Sequence, residues 1–388
     1  MLFDLVIVGA GLVGSSLALA LRGTGLTAAV VEPRAPPALP RDESWDVRVY
    51  AISPGSAAFL DAGGAWGGLD PGRICPVTAM EVSGDDGRSR LHFSAYEAGI
   101  PELAFILESR HLQATIWEAL KAREDVEIFC PARCEALEVG PETASIRLED
   151  GRTLQARLVV GADGADSWVR VQAGIAASPK PYGQMGVVAN FTASVPPGGV
   201  ARQWFRDDGV LALLPLPDDR VSMVWSAWDE KARELLALEP GALCSAVEEA
   251  SQGAPGKLAP LTPPAAFPLR LLRPETCIGP RLALIGDAAH NVHPLAGQGV
   301  NLGFGDAREL AAILRGRGVQ PDCGHRSLLR RYERSRREDV LAMQFTTDGL
   351  QKLFSNRYPG LRELRNWGLG LTDRLGPVKN FLTRTALG

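Results

Sequence analysis

The chain opens as strand, helix, strand. Leu2–Val8 is a run of apolar and β-favouring residues interrupted only by Asp4, residues 15–21 carry helical spacing, and Ala28–Val31 is a second apolar stretch ending at Glu32. Residues 33–46 are proline-rich and polar, which predicts a loop. The next segment leads into a helix, with Ser53 placed to cap it and Pro54 in its first turn. Residues 80–93 alternate with period two about a turn at 84–87, and 109–123 have the pattern of an amphipathic helix. Short strands are predicted at Val126–Phe129, 135–139 and Ala144–Leu148, with Asp150-Gly151 marking a turn and 158–160 a further apolar strand.

From Met185 to Ala227 the period is two. Residues 187–192, 201–206, 210–214 and 221–227 read as an antiparallel sheet with turns at 196–199, 207–209 and 217–219. Two short helical segments, a proline-rich loop at 255–268 and an extended piece at 268–272 follow. A short apolar strand at 282–285 then delivers Asp287 to its carboxyl end, before a glycine-rich turn and a helix that begins near Gly299 and runs through 306–314. A long helix at 322–350 carries Arg326, Arg330, Arg331, Arg334, Arg336 and Arg337. Beyond it Leu353, Phe354, Leu361, Leu364, Trp367, Leu375 and Phe381 recur at helical spacing.

Strand, glycine turn and helix units thus lie far apart, with sheet material between them. The expected fold is α/β, with a discontinuous Rossmann-type domain formed by 1–75, 102–178 and 276–340. An inserted, mainly antiparallel β-sheet domain takes 76–101 and 179–275 and would bind substrate, and 341–388 is a C-terminal helical segment. A chain of 388 residues, 46% hydrophobic, can bury cores of that extent. Its net charge of −4 gives no basic footprint, so nucleic acid is not an expected partner. The six cysteines show neither CxxC nor zinc-type spacing, so no metal is expected, and Cys130 and Cys134 read as buried thiols flanking a turn. Residues 5–21 are apolar but lack a preceding basic residue, and Gly9, Gly11 and Gly14 break the helix a secretion signal needs. No continuous apolar span of membrane length is present, and a cytoplasmic setting is expected.

Three glycine turns carry the candidate chemistry. Gly9-x-Gly11-x-x-Gly14 lies between strand and helix, and Glu32 follows 18 positions after the last glycine. The glycines permit a tight turn and close approach of a pyrophosphate, the helix start faces its charge, and Glu32 can bond both ribose hydroxyls. That carboxylate disfavours a 2′-phosphate, which points to the adenosine of FAD or ADP-ribose rather than NADP. In the second turn Asp163 either closes over the dinucleotide or belongs to an Asp-Gly turn whose helix Ser167 caps. In the third, Gly297 and Gly299 leave room for a flat ligand and Asp287 can hold sugar-type hydroxyls. Arg48 either contacts a ligand or pairs with Asp46.

These three turns together resemble the single-component FAD-dependent aromatic hydroxylases of the p-hydroxybenzoate hydroxylase fold. More narrowly, residues 284–307 with Asp46, Arg48, Ala51 and Ser53 resemble the ubiquinone-biosynthesis hydroxylases. The resemblance implies that the first turn and Glu32 hold ADP, that Asp163 helps position the pyrophosphate and NAD(P)H, and that Asp287 bonds the ribityl chain. It places Gly286 and Pro294 in the flavin turn and Gly299, Val300 and Asn301 under the isoalloxazine, where the helix dipole would stabilise the negative charge of the reduced ring. Arg48 and Arg110 would be flavin contacts, although Ser109 stands where many relatives carry Arg or Asn.

The implied activity is that of an FAD-dependent monooxygenase with NAD(P)H as transient co-substrate and O2 as oxidant. It would hydroxylate an aromatic ring, most simply a polyprenylated phenol or quinol of ubiquinone biosynthesis. A hydroxylase of another aromatic or polyketide, or a non-catalytic flavoprotein that scaffolds a biosynthetic complex, are the alternative readings. No general base stands out: His290 and His293 border the flavin turn as either packing or catalytic groups, and Pro294 fixes the loop. Apolar Trp204, Phe205, Leu213, Met223 and Trp225 are the expected pocket on the middle sheet. The C-terminal helices are either a cap on the dinucleotide domain or a peripheral face for a membrane or a biosynthetic partner.

Overall fold

The computed structural model describes residues 2–40, 42–86, 89–291, 299–318 and 320–354. Its elements begin with β1 (Leu2–Val8), α1 (Leu12–Ala20), β2 (Ala28–Val31), β3 (Val49–Ile52), α2 (Pro54–Ala62), β4 (Cys75–Val77), β5 (Ala79–Ser83), β6 (Arg90–Ser94), α3 (Ala95–Ala98), β7 (Ala104–Glu108) and α4 (Ser109–Lys121). There follow β8 (Val126–Phe129), β9 (Cys134–Val139), β10 (Ala144–Leu148), β11 (Thr153–Gly161), α5 (Trp168–Gln172), β12 (Lys180–Ala193), β13 (Val200–Arg206), β14 (Gly209–Pro215) and β15 (Arg220–Trp228). The described chain closes with α6 (Asp229–Ala237), α7 (Pro240–Ala250), β16 (Leu258–Pro260), β17 (Ala265–Leu271), β18 (Ile278–Gly279), β19 (Leu282–Leu284), α8 (Gly299–Arg315) and α9 (Arg326–Phe354).

The first sheet has the order β18-β19-β11-β1-β2-β8, and β1 pairs in parallel with both β11 and β2. Because these central strands are covered on both faces, they read as continuous apolar runs rather than alternating ones. Leu5, Val6, Ile7 and Val159 are fully buried. All three glycine turns follow strands of this sheet: β1, β11 and β19 lie side by side, so segments remote in sequence end at one edge. That is the crevice where such sheets take ligands.

The second sheet, β16-β12-β15-β14-β13-β5-β6 with β17 also on β12, is antiparallel except for the β13–β5 pair. Its two faces have different fates. Trp204, Leu211, Leu213, Met223 and Trp225 pack with Leu235, Leu243 and Val247 of α6 and α7. The alternate residues face the dinucleotide side. Pocket walls were expected from Trp204, Leu213, Met223 and Trp225, and this is corrected: those side chains form the core on the far face. Phe205 is likewise enclosed, against Val82 and Leu91.

A third sheet, β3-β7-β4, was not foreseen; its strands are short and one contains Pro76. The expected loop at 255–268 also contains strands. β16 and β17 both pair with β12, and their prolines lie at the sheet margin, where a missing N–H costs no internal ladder bond. Helix α1 starts at Leu12, earlier than its apolar spacing suggests, because extended Gly11 already serves as its N-cap. Ser53 caps α2 as expected, accepting from the Ser56 N–H at 3.2 Å.

All six cysteines are free thiols. Burial pushes Cys134, Cys277 and Cys323 up to about 12 and Cys75 to about 11. Among the described residues no group of His, Cys, Asp and Glu is arranged to hold a metal, and no helix is long and apolar enough to cross a membrane. The expected helical repeat after Phe354 lies outside the described residues.

Candidate active site

A cavity of about 1000 Å³ runs from the end of the first sheet to the inner face of the second. At one end it is lined by Gly11, Leu12 and Val13 of the first turn, by Ala162, Gly164 and Ala165 of the second, and by Gly286 and Asp287 of the third. Gly299 and Val300 bring the start of α8 to the same space. Two helices therefore begin at one cavity, and the α1 start has no side chain capping it. Free N–H groups and the positive end of a helix dipole favour an anion there.

The glycines divide by task. A Cβ on Gly9 (φ +103°) would lie 2.5 Å from the Ala162 carbonyl oxygen, and one on Gly14 would lie 2.0 Å from the Gly9 oxygen. Both positions press backbone against backbone. Gly11 meets nothing within 4 Å and lines the cavity, so its missing side chain leaves room for a ligand. A Cβ on Gly303 would come within 2.6 Å of Val13, which is how α8 seats closely on α1. This bare, donor-rich cradle fits the diphosphate of a dinucleotide.

Glu32 ends β2 beside the first turn, and its carboxylate accepts from the Ala10 N–H at 2.7 Å and the Arg34 N–H at 3.1 Å. Asp163 does not line the cavity. Its carboxylate accepts from the Ser167 hydroxyl and, at 3.0 Å, from the Val169 N–H, so it braces the start of α5 while Ser167 caps Arg170. The cavity is reached instead by its neighbours Gly164 and Asp166. Asp166 forms an ion pair with Arg270 of β17 at 2.8 Å, a bridge between the two sheets that the sequence did not announce.

Arg48 lines the cavity, and its side chain does not pair with Asp46. Asp46 instead accepts from the backbone N–H groups of Arg48 at 3.1 Å and Arg110 at 3.0 Å. The Arg48 guanidinium lies 5.2 Å from the Tyr50 ring centre and 5.7 Å from that of Phe267. Arg110 also borders the cavity, but its guanidinium is engaged by Glu108 at 3.2 Å and by the Ser44 carbonyl. Fully buried Glu108 also receives Arg73 and the Asp46 N–H, and so sets the loop that carries Arg48. Sequence reasoning missed Glu108; an acid directly before an amphipathic helix is the signal that could have found it.

Asp287 is accessible through the cavity, while surrounding protein strips water from its carboxyl. Burial therefore pushes its pKa above the ordinary carboxylate range, against the pull of His290, Arg48, Asn291 and Arg270. His290 is not a cavity residue. Its Nε2 lies 2.6 Å from Asp306 Oδ2, and Asp306 also accepts from the Gly286 N–H at 2.9 Å and from Arg336 Nε at 2.7 Å. His290 thus holds the third turn to α8 and is a packing and hydrogen-bonding residue.

The Asn301 side chain, expected near the flavin, bonds to neighbouring backbone. Its amide accepts from the Ser53 N–H at 3.0 Å and donates to the Ala51 carbonyl at 2.9 Å, stapling α8 to β3 and α2. His293, Pro294 and Gly297 lie outside the described residues. Asp306 and Arg336 were missed. The one available signal was an acid amid the apolar and small residues of α8, 302–307.

At its other end the cavity is mainly apolar, walled by Met80, Phe93, Ala212, Leu214 and Val224 among others. A polar, anion-seeking half continuous with an oily half suits a dinucleotide meeting a hydrophobic second ligand.

A profile of the FAD binding domain family matches residues 3–346. The 3-demethoxyubiquinol 3-hydroxylase of Escherichia coli K12 is 36% identical over 388 residues, covering 99% of this chain and 98% of that protein. The ubiquinone hydroxylase UbiL of Rhodospirillum rubrum is 36% identical over 99% of this chain and 89% of its own length. Human mitochondrial ubiquinone biosynthesis monooxygenase COQ6 is 33% identical over 97% and 91%. Among solved structures, pqsL, a probable FAD-dependent monooxygenase from Pseudomonas aeruginosa, superposes with a TM-score of 0.79 at 26% identity, covering 95% of this chain and 99% of that one. The chain belongs to the FAD binding domain family, and is an oxidoreductase of its flavin-dependent monooxygenase branch, alongside the ubiquinone-biosynthesis hydroxylases.

Proposed function

We propose that this enzyme hydroxylates the ring of a polyprenylated phenol or quinol intermediate of ubiquinone biosynthesis, using FAD, NAD(P)H and O2. The observation that carries the reading is the single cavity joining the glycine turns of the first sheet to the apolar inner face of the second. Bound FAD, once reduced by the nicotinamide nucleotide, supplies the activated oxygen that the ring receives.

The chain's own residues bind, orient and exclude water. In this reading Gly11 and the α1 N–H groups take the diphosphate, Glu32 the adenosine ribose, Asp287 the ribityl hydroxyls, and Arg48 with Gly299 and Val300 the ring system. Gly9 and Gly14 shape the first turn without touching the ligand. In this reading the substrate's own hydroxyl activates the ring, and the cavity positions it.

The division of labour follows the sheets. Residues 1–75, 102–178 and 276–340 form the FAD unit, 76–101 and 179–275 the substrate unit, a reading supported by strand membership. Peripheral docking on an anionic membrane belongs to the same proposal, supported by exposed Arg330, Arg331, Arg334 and Arg337 on α9 and by Phe345, which is 69% exposed.

The test is NAD(P)H oxidation by the FAD-loaded chain with a panel of aromatics. Prenylated phenols should stimulate it most and leave a hydroxylated product. Equal stimulation by small polar aromatics, or consumption without hydroxylated product, would refute the substrate assignment.

A further inference from the structure

The residues of β5, β6, β12, β13, β14 and β15 that line the cavity are apolar except at two positions, Gln203 on β13 and Ser226 on β15. They are 7% and 4% exposed, and among the described residues neither side chain has a hydrogen-bond partner. Their polar atoms open onto the cavity, so a ligand that displaces water there without bonding them would leave them unpaired at a cost of about 1–3 kcal/mol each. At the dinucleotide end of the wall several polar groups have partners, Arg270 in Asp166 and Arg110 in Glu108, whereas on the sheet wall Gln203 and Ser226 have none.

Strand register puts them in one plane. Gln203 pairs with Ala212, Ala212 with Val224, and Ser226 is the next residue of the same parity after Val224. Adjacent Arg202 turns away to Glu81, and Trp204 turns into the opposite core, so the alternation of β13 fixes the Gln203 side chain on the cavity side. Small Ala212 between the two leaves a shallow, flat floor flanked by two hydrogen-bonding groups. A planar ring with oxygen substituents matches it, and an unsubstituted hydrocarbon does not.

We propose that Gln203 and Ser226 are specificity-determining residues that hydrogen-bond a ring ether oxygen of the substrate, such as a methoxyl, and so fix which carbon faces the flavin. The amide can donate to an ether oxygen or accept from a phenol, and the hydroxyl can do either. This rests on the function proposed above and deepens it.

The experiment uses the full FAD-loaded chain and two probes, a short-chain prenylated phenol bearing a ring methoxyl and the same phenol without it. Binding is read from the flavin absorbance change, and turnover as kcat, KM and hydroxylated product per NAD(P)H consumed. The wild type should favour the methoxylated ring by about tenfold or more. In Gln203→Met and Ser226→Ala, singly or together, that preference should collapse through loss on the methoxylated ring alone, with product per NAD(P)H falling and flavin content unchanged. Ser226→Thr, which keeps the hydroxyl, should restore it. Equal losses on both probes, or variants that discriminate as the wild type does, would overturn the assignment while leaving the proposed function standing. A wild type that neither binds nor hydroxylates either phenol would overturn both.

Discussion

Arg336 Nε lies 2.7 Å from Asp306 Oδ1, so a residue of α9 reaches through the core to the helix whose first turn lines the active-site cavity. His290 and the Gly286 N–H occupy the other carboxylate oxygen, and Tyr332 of α9 donates to the Leu284 carbonyl at 2.9 Å. Gly286 and the end of β19 are thus held from both sides by His290, Asp306, Arg336 and Tyr332, none of which lines the cavity.

Asp306→Asn should destabilise the protein by about 3 kcal/mol, because it removes the buried counter-ion of Arg336 and leaves that cation only the exposed Asp339, 2.6 Å from its Nη1. Burial alone would raise the Asp306 carboxyl, but His290 and Arg336 hold it below the ordinary range. A folded pKa below the unfolded one gives stability that is full at neutral pH. It is lost as pH falls from about 3.9 through the folded value. Denaturant titrations from neutral to acid pH should show the wild type losing this increment and the variant, already without it, losing less.

Asp287→Asn should act in the opposite sense. The folded pKa of Asp287 is raised, so its ionisation opposes folding above the unfolded carboxyl value, and that penalty grows as pH rises through the folded one. In the FAD-free protein the variant should melt higher than the wild type at neutral pH, with the difference vanishing below about pH 3.9. It should also bind FAD more weakly. An FAD-free variant that melts lower at neutral pH would contradict this account.

Two substitutions of neighbouring glycines separate fold from site. Gly9→Val places a branched side chain at φ +103° against the Ala162 backbone, and should cost at least about 2–3 kcal/mol and leave little folded protein. Gly11→Val enters open space at an extended position and should keep its melting temperature within a few degrees while losing flavin. Thermal melts and the flavin-to-protein absorbance ratio report both.

The two faces of β14 should also respond differently. Leu213→Ala opens a hole against α6 and α7 and should cost about 2–5 kcal/mol, whereas Ala212→Phe fills the cavity floor and should suppress substrate binding with a smaller effect on stability.

That contrast also marks what the sequence could reveal. The first sheet was legible because β1, β2 and their glycine turn combine an apolar run, a fixed glycine spacing and a downstream acid, three signals that agree. The second sheet was legible as strands but not as faces. Both sides of β13–β15 are enclosed, one by helices and one by the cavity wall, so bulky Trp204 and Trp225 looked like pocket residues when they are core. A register shift of one residue exchanges every side chain between the two. The bonds of His290 and Asn301 were illegible for a different reason: each is made to partners that local pattern does not supply, Asp306 for the first and Ala51 and Ser53 for the second.

The most direct test of the central claim, that flavin and ring share one cavity, is turnover of a prenylated phenol by the FAD-loaded chain under isotopically labelled dioxygen. Mass spectrometry should find a product carrying one labelled oxygen on the ring, formed only when NAD(P)H is supplied. Flavin reduction and reoxidation with the phenol recovered unlabelled and unchanged would contradict it.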